Sequence, residues 1–274
     1  MKTKIIFEDK DIVIAYKPAG FPVQSANPGM LDMESELRSY LKHRDAMDAV
    51  GTATAGNAAK AANNAKKPDI AGGCGKGKPT QQMPYLGIVH RLDQPVEGLL
   101  VFAKNKKTAA ALTAQLSSQT LHKQYYAVVC GYPSEEQGCL VDYLQKDSKM
   151  QKALVLGAEN RKVQNGDWKK AILKYERKAK LSTPYEISLL DIHIETGRFH
   201  QIRAQLAHAG IPILGDSKYG NERVGEISTA LGIRTVALCA ASLSFVHPVT
   251  GKKLAYRRQP ESLSFGLFGK DAFK

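Results

Sequence analysis

Gly87-Ile88-Val89-His90-Arg91-Leu92-Asp93-Gln94-Pro95-Val96-Glu97-Gly98-Leu99-Leu100-Val101 carries two apolar runs on either side of a polar, Pro-containing break. Apolar runs of this length, bounded by Asp, Pro and Gly, read as strands (Leu86 to Arg91 and Leu99 to Ala103) joined through a turn. A carboxylate that leaves a strand into such a turn is presented rigidly at a sheet edge. Taken alone, Asp93 has a plainer reading as a turn aspartate bonding its own backbone.

Outward from this stretch, strand signals dominate. Ile5-Ile6-Phe7 and Ile12-Val13-Ile14-Ala15 flank a tight polar turn, and Lys17-Pro18-Ala19-Gly20 ends the second run because Pro removes a donor and Gly allows positive φ. Tyr125 to Cys130, Ala171 to Lys178, Tyr185 to Glu195 and Ala237 to Val246 are further β-rich runs. Helical spacing is confined to Met33–Lys42, about Lys107 to Gln119, and His200–Gly210. Strands outnumber helices and do not alternate regularly with them, which predicts an α+β fold on a largely antiparallel sheet flanked by helices, rather than a doubly wound parallel one.

With 274 residues, 43% hydrophobic, the chain is long enough for a sizeable core. No apolar run approaches a membrane span and the first residues lack a signal peptide's apolar block, so a cytoplasmic protein is expected. The net charge of +13 is the footprint of a phosphate-neutralising surface. Cys74, Cys130, Cys139 and Cys239 form no CxxC pair, and no metal or cofactor fingerprint is present. From Gly51 to Thr80 the composition shifts abruptly to Ala, Gly, Lys and Asn, unable to bury enough apolar surface to offset its ordering, and 44–82 read as a mobile insertion within one domain spanning 1–274.

Two further clusters carry chemistry. In Thr196-Gly197-Arg198-Phe199-His200-Gln201-Ile202-Arg203, a helix starting near His200 places Arg203 one turn in, able to reach an anion at the helix start. In Lys123-Gln124-Tyr125-Tyr126-Ala127, strand alternation lets only one tyrosine face a given cleft. A core tyrosine and exposed, salt-bridging arginines are the plainer alternatives.

Together with Pro212-Ile213-Leu214-Gly215-Asp216, Tyr219-Gly220, Leu243-Ser244-Phe245 and His247-Pro248, these segments resemble the RluA/RluD-like family of RNA pseudouridine synthases over nearly the whole chain except the insertion. The resemblance implies isomerisation of uridine in ribosomal or transfer RNA. Asp93 matches the family nucleophile, acting by attack on the anomeric carbon or through a glycal. Arg203 matches its ion-pair partner, which keeps a partly buried carboxylate ionised. Tyr125 matches the residue that stacks on uracil and assists proton removal at ring carbon five. Arg91, matching a residue that fills the space of the flipped base, joins His90, Arg198, His200, Gln201, Ile202 and Lys17 as expected RNA- or uridine-binding residues. No cofactor is implied, and a monomer is expected.

Two departures from the family pattern stand out. Val96-Glu97 stands where the family most often has Thr-Ser or Val-Ser, and Glu97, which would repel Asp93 or phosphate if it faced inward, is expected to face outward or pair with Lys or Arg. No small N-terminal RNA-binding domain precedes Ile5, so target recognition is expected to rest on the catalytic domain. A synthase-like RNA-binding or ribosome-assembly protein without chemistry, and a hydrolase using Asp93 and Glu97 as an acid/base pair, are the competing readings.

Overall fold

The computed structural model describes residues 1–27, 29–57, 83–159 and 167–273. Eleven strands form one sheet: β1 (Lys4–Glu8), β2 (Ile12–Lys17), β3 (Gly87–Ile88), β4 (Glu97–Ala103), β5 (His122–Cys130), β6 (Gln137–Asp147), β7 (Lys152–Gly157), β8 (Lys169–Leu181), β9 (Ile187–Ile194), β10 (Leu238–Val246) and β11 (Lys253–Arg257). Four helices flank it: α1 (Met33–Asn57), α2 (Lys106–Ser117), α3 (Gln201–His208) and α4 (Glu222–Ala230). The strand order is β1-β2-β4-β10-β5-β9-β8-β6-β7, with β11 on β10 and β3 on β4. Every pairing is antiparallel except β4 with β10, in line with the α+β expectation.

The core lies where the sheet's central strands are apolar on both faces. Ile12 to Tyr16, Leu99 to Ala103, Tyr126 to Val129 and Leu189–Leu190 are essentially without solvent exposure. Such continuous apolar runs suit strands covered on both sides. Gly98 is required at the β4–β10 pair: its φ is +134° and a Cβ there would lie 2.4 Å from the Ala240 carbonyl oxygen.

Two elements differ from the sequence reading. Of Leu86–Arg91 only Gly87–Ile88 pairs as a strand, on Ala103 and Phe102, because the chain then leaves the sheet to build the Asp93 turn. Conversely, α1 runs to Asn57, so the first part of the supposed insertion, 44–57, is helical. Asp32 caps this helix, its Oδ1 accepting from Ser35 N (2.7 Å), and Met33, Leu37 and Leu41 bury one face. From that nucleus an Ala-containing extension propagates readily. The remainder of the insertion, 58–82, lies outside the described residues. Strands β6, β7 and β11 and helix α4 carried no distinct signal in the sequence.

Candidate active site

A cleft of about 970 Å³ opens over the centre of the sheet, lined by the Asp93 turn, the start of β5, the end of β9 and the first turn of α3, with Leu238 of β10. The turn is closed by Val96 N donating to the Asp93 carbonyl (3.0 Å). The Asp93 side chain is not spent on its own backbone. Its Oδ2 accepts from Arg203 Nη1 at 2.9 Å, and its side chain keeps 28% exposure. Oδ1 accepts nothing from any described residue and is left for a ligand.

Arg203 is almost completely buried and faces two carboxylates: besides Asp93 it binds Asp216 in a fork, Nε to Oδ2 at 2.7 Å and Nη2 to Oδ1 at 2.8 Å. A bidentate pair of this kind fixes the guanidinium plane. Although burial opposes its charge, the hydrogen bonds and fields of Asp216 and Asp93 hold the Arg203 pKa above its ordinary value. Helix α3 brings Arg203 here because it is seated on β6, where Gln205 Nε2 donates to Asp142 Oδ2 (2.8 Å) and His208 Nδ1 lies 3.0 Å from Asp142 Oδ1. Asp216, which sequence reasoning left out of the site, is delivered by Gly215, whose φ is +73° and which has room for no Cβ against the Thr235 carbonyl. Its only sequence signal was the Leu214-Gly215-Asp216 turn.

The tyrosine alternation resolves as spacing required. Tyr125 lines the cleft, while Tyr126 points to the other face, where its hydroxyl accepts from Arg257 and its ring meets Phe273 edge-on at 5.2 Å. His90, Arg91, Arg198, His200, Gln201 and Ile202 also line the cleft. Of these, Arg91 reaches Gln24 Oε1 at 2.9 Å on the rim, and Arg198 Nε donates to the Lys170 carbonyl at 3.0 Å. His90 Nε2 accepts from Val101 N (3.4 Å), so Nδ1 carries the proton, and that buried N–H has no described partner. Burial pushes the His90 pKa down to about 3, so its ring is neutral. Gln201 spends its amide on the loop before α3: Oε1 accepts from Thr196 Oγ1 (2.8 Å) and Arg198 N (3.0 Å), and Nε2 donates to the Ile172 carbonyl (3.0 Å).

Lys17 does not reach RNA. Its Nζ is fully buried and donates to the carbonyls of Phe21 (2.6 Å), Gln94 (2.8 Å) and Pro18 (3.1 Å), tying the Lys17–Phe21 loop to the residue after Asp93. Desolvation lowers its pKa to about 7 against the raising fields of Asp93 and Glu97. Glu97 also departs from expectation, neither facing outward nor pairing with a cation. It is 2% exposed and accepts from Tyr16 Oη (2.6 Å), Glu261 N (3.1 Å) and Ser262 N (3.0 Å), anchoring the C-terminal segment beneath the sheet. Its partners are the cause: three neutral donors converge on a position that β4 turns inward.

Of the described residues, Asp9, Asp11 and His247 stand close enough to suggest a cation site. His247 Nδ1, however, accepts from Val249 N and Thr250 N (3.2 and 3.1 Å), so Nε2 bears the proton and offers no lone pair to a cation, and although it lies 3.0 Å from Asp9 Oδ2 it makes no hydrogen bond there.

The cleft lining carries Arg91, Lys123, Lys174, Arg198 and Arg203 against two carboxylates, Asp93 and Glu195, an environment for an anionic polymer. A family model described as RNA pseudouridylate synthase matches residues 11–208, which contain Asp93, Tyr125 and Arg203. The chain belongs to the RNA pseudouridylate synthase family. It is 30% identical to the ribosomal large subunit pseudouridine synthase D of Zymomonas mobilis over 92% of this chain and 68% of that one. It is 31% identical to the tRNA pseudouridine synthase C of Vibrio vulnificus over 66% of this chain and 74% of that one. Among solved structures, human RNA pseudouridylate synthase domain containing 1 superposes with a TM-score of 0.65 at 16% identity, over 94% of this chain and 83% of that one, which shows the shared fold. The synthase is thus an isomerase that converts uridine in RNA to pseudouridine. Among the described residues no helix is long and apolar enough to cross a membrane.

Proposed function

We propose that this pseudouridine synthase draws a target uridine of a ribosomal or transfer RNA into the central cleft and isomerises it with Asp93 as the nucleophile, in a single catalytic domain acting as a cytoplasmic monomer. A base inside a duplex is unreachable, so the uridine is extruded or taken from a loop, and phosphate contacts from the basic lining offset the unstacking cost of a few kcal/mol. Arg91, exposed on the rim beside the nucleophile, occupies the place the base vacates. Tyr125 lies against the uracil face and its hydroxyl handles the proton of ring carbon five. Arg203 holds and orients Asp93, and no cofactor or metal enters this reading.

The observation that carries the reading is the Asp93 carboxylate, bound through one oxygen to a buried guanidinium and open through the other to a basic cleft that also holds Tyr125. The test is pseudouridine mapping, by carbodiimide modification and primer extension, of RNA from a strain lacking the gene, complemented with wild type or Asp93→Asn. Sites lost and restored only by wild type name the substrate and support the nucleophile. Sites restored by both overturn it, and RNA binding without any modification favours the non-catalytic reading.

A further inference from the structure

Resting on the reading of Asp93 as nucleophile, we propose that His200 is a positioning residue for that carboxylate, and that Tyr219 fixes the imidazole tautomer that makes it one. The donor directions follow from a chain of contacts. The backbone N–H of Ala153 on β7 donates to Tyr219 Oη at 2.6 Å. With that acceptor position used, the Tyr219 hydroxyl proton is free to point along its other short contact, 2.9 Å to His200 Nδ1. A histidine that accepts at Nδ1 carries its proton on Nε2, and His200 Nε2 lies 3.5 Å from Asp93 Oδ2. The chain therefore ends in an N–H facing the same oxygen that Arg203 holds. Arg203 donates to Oδ2 at 2.9 Å and the His200 N–H approaches the same oxygen at 3.5 Å, so that Oδ1 is the oxygen presented to the uridine.

The backbone supports a selected arrangement. His200 is a non-glycine residue in the left-handed region, φ +52° and ψ 24°, at the start of α3. Strain of that kind persists only where surroundings enforce it, and it concentrates at functional sites. Here the enforcing contacts are visible: the Phe199 ring stacks on the imidazole at 3.8 Å, and the Tyr219 ring meets it edge-on at 5.6 Å. Tyr219 is itself placed by Asp216, whose Oδ1 accepts from Tyr219 N (3.1 Å) while it also binds Arg203. One aspartate thus sets both donors to Asp93, Arg203 directly and His200 through Tyr219.

The charged groups facing the ring are Asp93 and Asp216, which favour its protonation, and Arg203 and Lys218, which oppose it. Burial outweighs all four and lowers the His200 pKa to about 4, so a neutral N–H, not an imidazolium, faces Asp93 at working pH.

Two measurements test this. In protein labelled with ¹⁵N-histidine, His200 is expected to show the Nε2–H tautomer from pH 5 upward, and Tyr219→Phe to give a mixture of tautomers. An Nδ1–H tautomer in the wild type overturns the proposal. Kinetics then use tritium release from large-subunit ribosomal and transfer RNAs transcribed with [5-³H]uridine. His200→Ala is expected to lower kcat about tenfold to hundredfold with KM held within about threefold, the loss typical of a mispositioned reacting group. His200→Gln, which retains an amide N–H, should recover part of it. His200→Ala with an unchanged kcat, while Asp93→Asn is inactive, overturns the positioning role and leaves the nucleophile standing. Full turnover by Asp93→Asn overturns both.

Discussion

Asp93 and Glu97 sit four residues apart on one turn-strand segment, and their surroundings make them opposites. Asp93 keeps 28% side-chain exposure, is held by a charged partner through one oxygen, and faces a basic cleft. Glu97 is buried, held by a tyrosine hydroxyl and two backbone amides, and faces the C-terminal segment. Both are carboxylates of similar intrinsic acidity. What separates reaction from architecture is whether a lone pair is left open: one oxygen of Asp93 is unclaimed, while three donors converge on Glu97. The contrast also removes the acid/base pairing of the two considered from sequence, since Glu97 has no access to the cleft.

The strongest way to break the contrast is Asp93→Asn, which keeps shape and removes charge. Turnover should fall by about four orders of magnitude or more, as for loss of a nucleophile, with circular dichroism and RNA retention on a filter unchanged because phosphate contacts are untouched. Arg203→Ala comes next. It leaves the buried Asp216 without its cation and Asp93 without its partner, so it should abolish measurable tritium release and cost about 3–5 kcal/mol in urea unfolding. A variant with normal stability would mean that Asp216 is not held by that fork.

Acid sharpens the comparison on the Asp93 side. The pKa values of His90 and His200 are depressed in the folded protein, to about 3 and about 4 from 6.5. The unfolded chain therefore binds more protons between those values and 6.5, and folding stability should fall by a few kcal/mol as pH drops through that window. Urea titrations at pH 4.5 and 7 measure the slope, and His90→Gln should flatten it. The smallest effect is expected of Glu97→Gln. It replaces one acceptor by a donor against amides already pointing at it, costing about 1–3 kcal/mol of stability, while turnover stays within a few-fold. A collapse of turnover without loss of stability would put Glu97 in the chemistry after all.

Much of the site was legible because its residues announce themselves locally. A Pro-containing turn after an apolar run makes Asp93 a candidate, adjacent strand tyrosines restrict the choice to one, an arginine one turn into a helix can reach an anion, and the family resemblance supplies the role of each. What escaped was the identity of partners far away in sequence. Lys17 is among the RNA contacts that the family resemblance implies; three carbonyls, one of them from Gln94, bury it instead. Asp216 and Tyr219 have no role legible in the sequence, since nothing within a few positions of either shows Arg203 or His200.

By itself the sequence determined the strand-rich α+β class, a turn carboxylate at a sheet edge and the basic charge of the chain, because periodicity, turn chemistry and net charge are properties of short stretches and sums. Only the tertiary structure decided which charged side chains are spent inside the protein and which line the cleft. That assignment depends on donors and acceptors brought together across the sheet, as when β7, the turn after Gly215 and the first turn of α3 meet at Asp93. A buried polar group takes whichever partner lies within 3 Å, however distant in the chain.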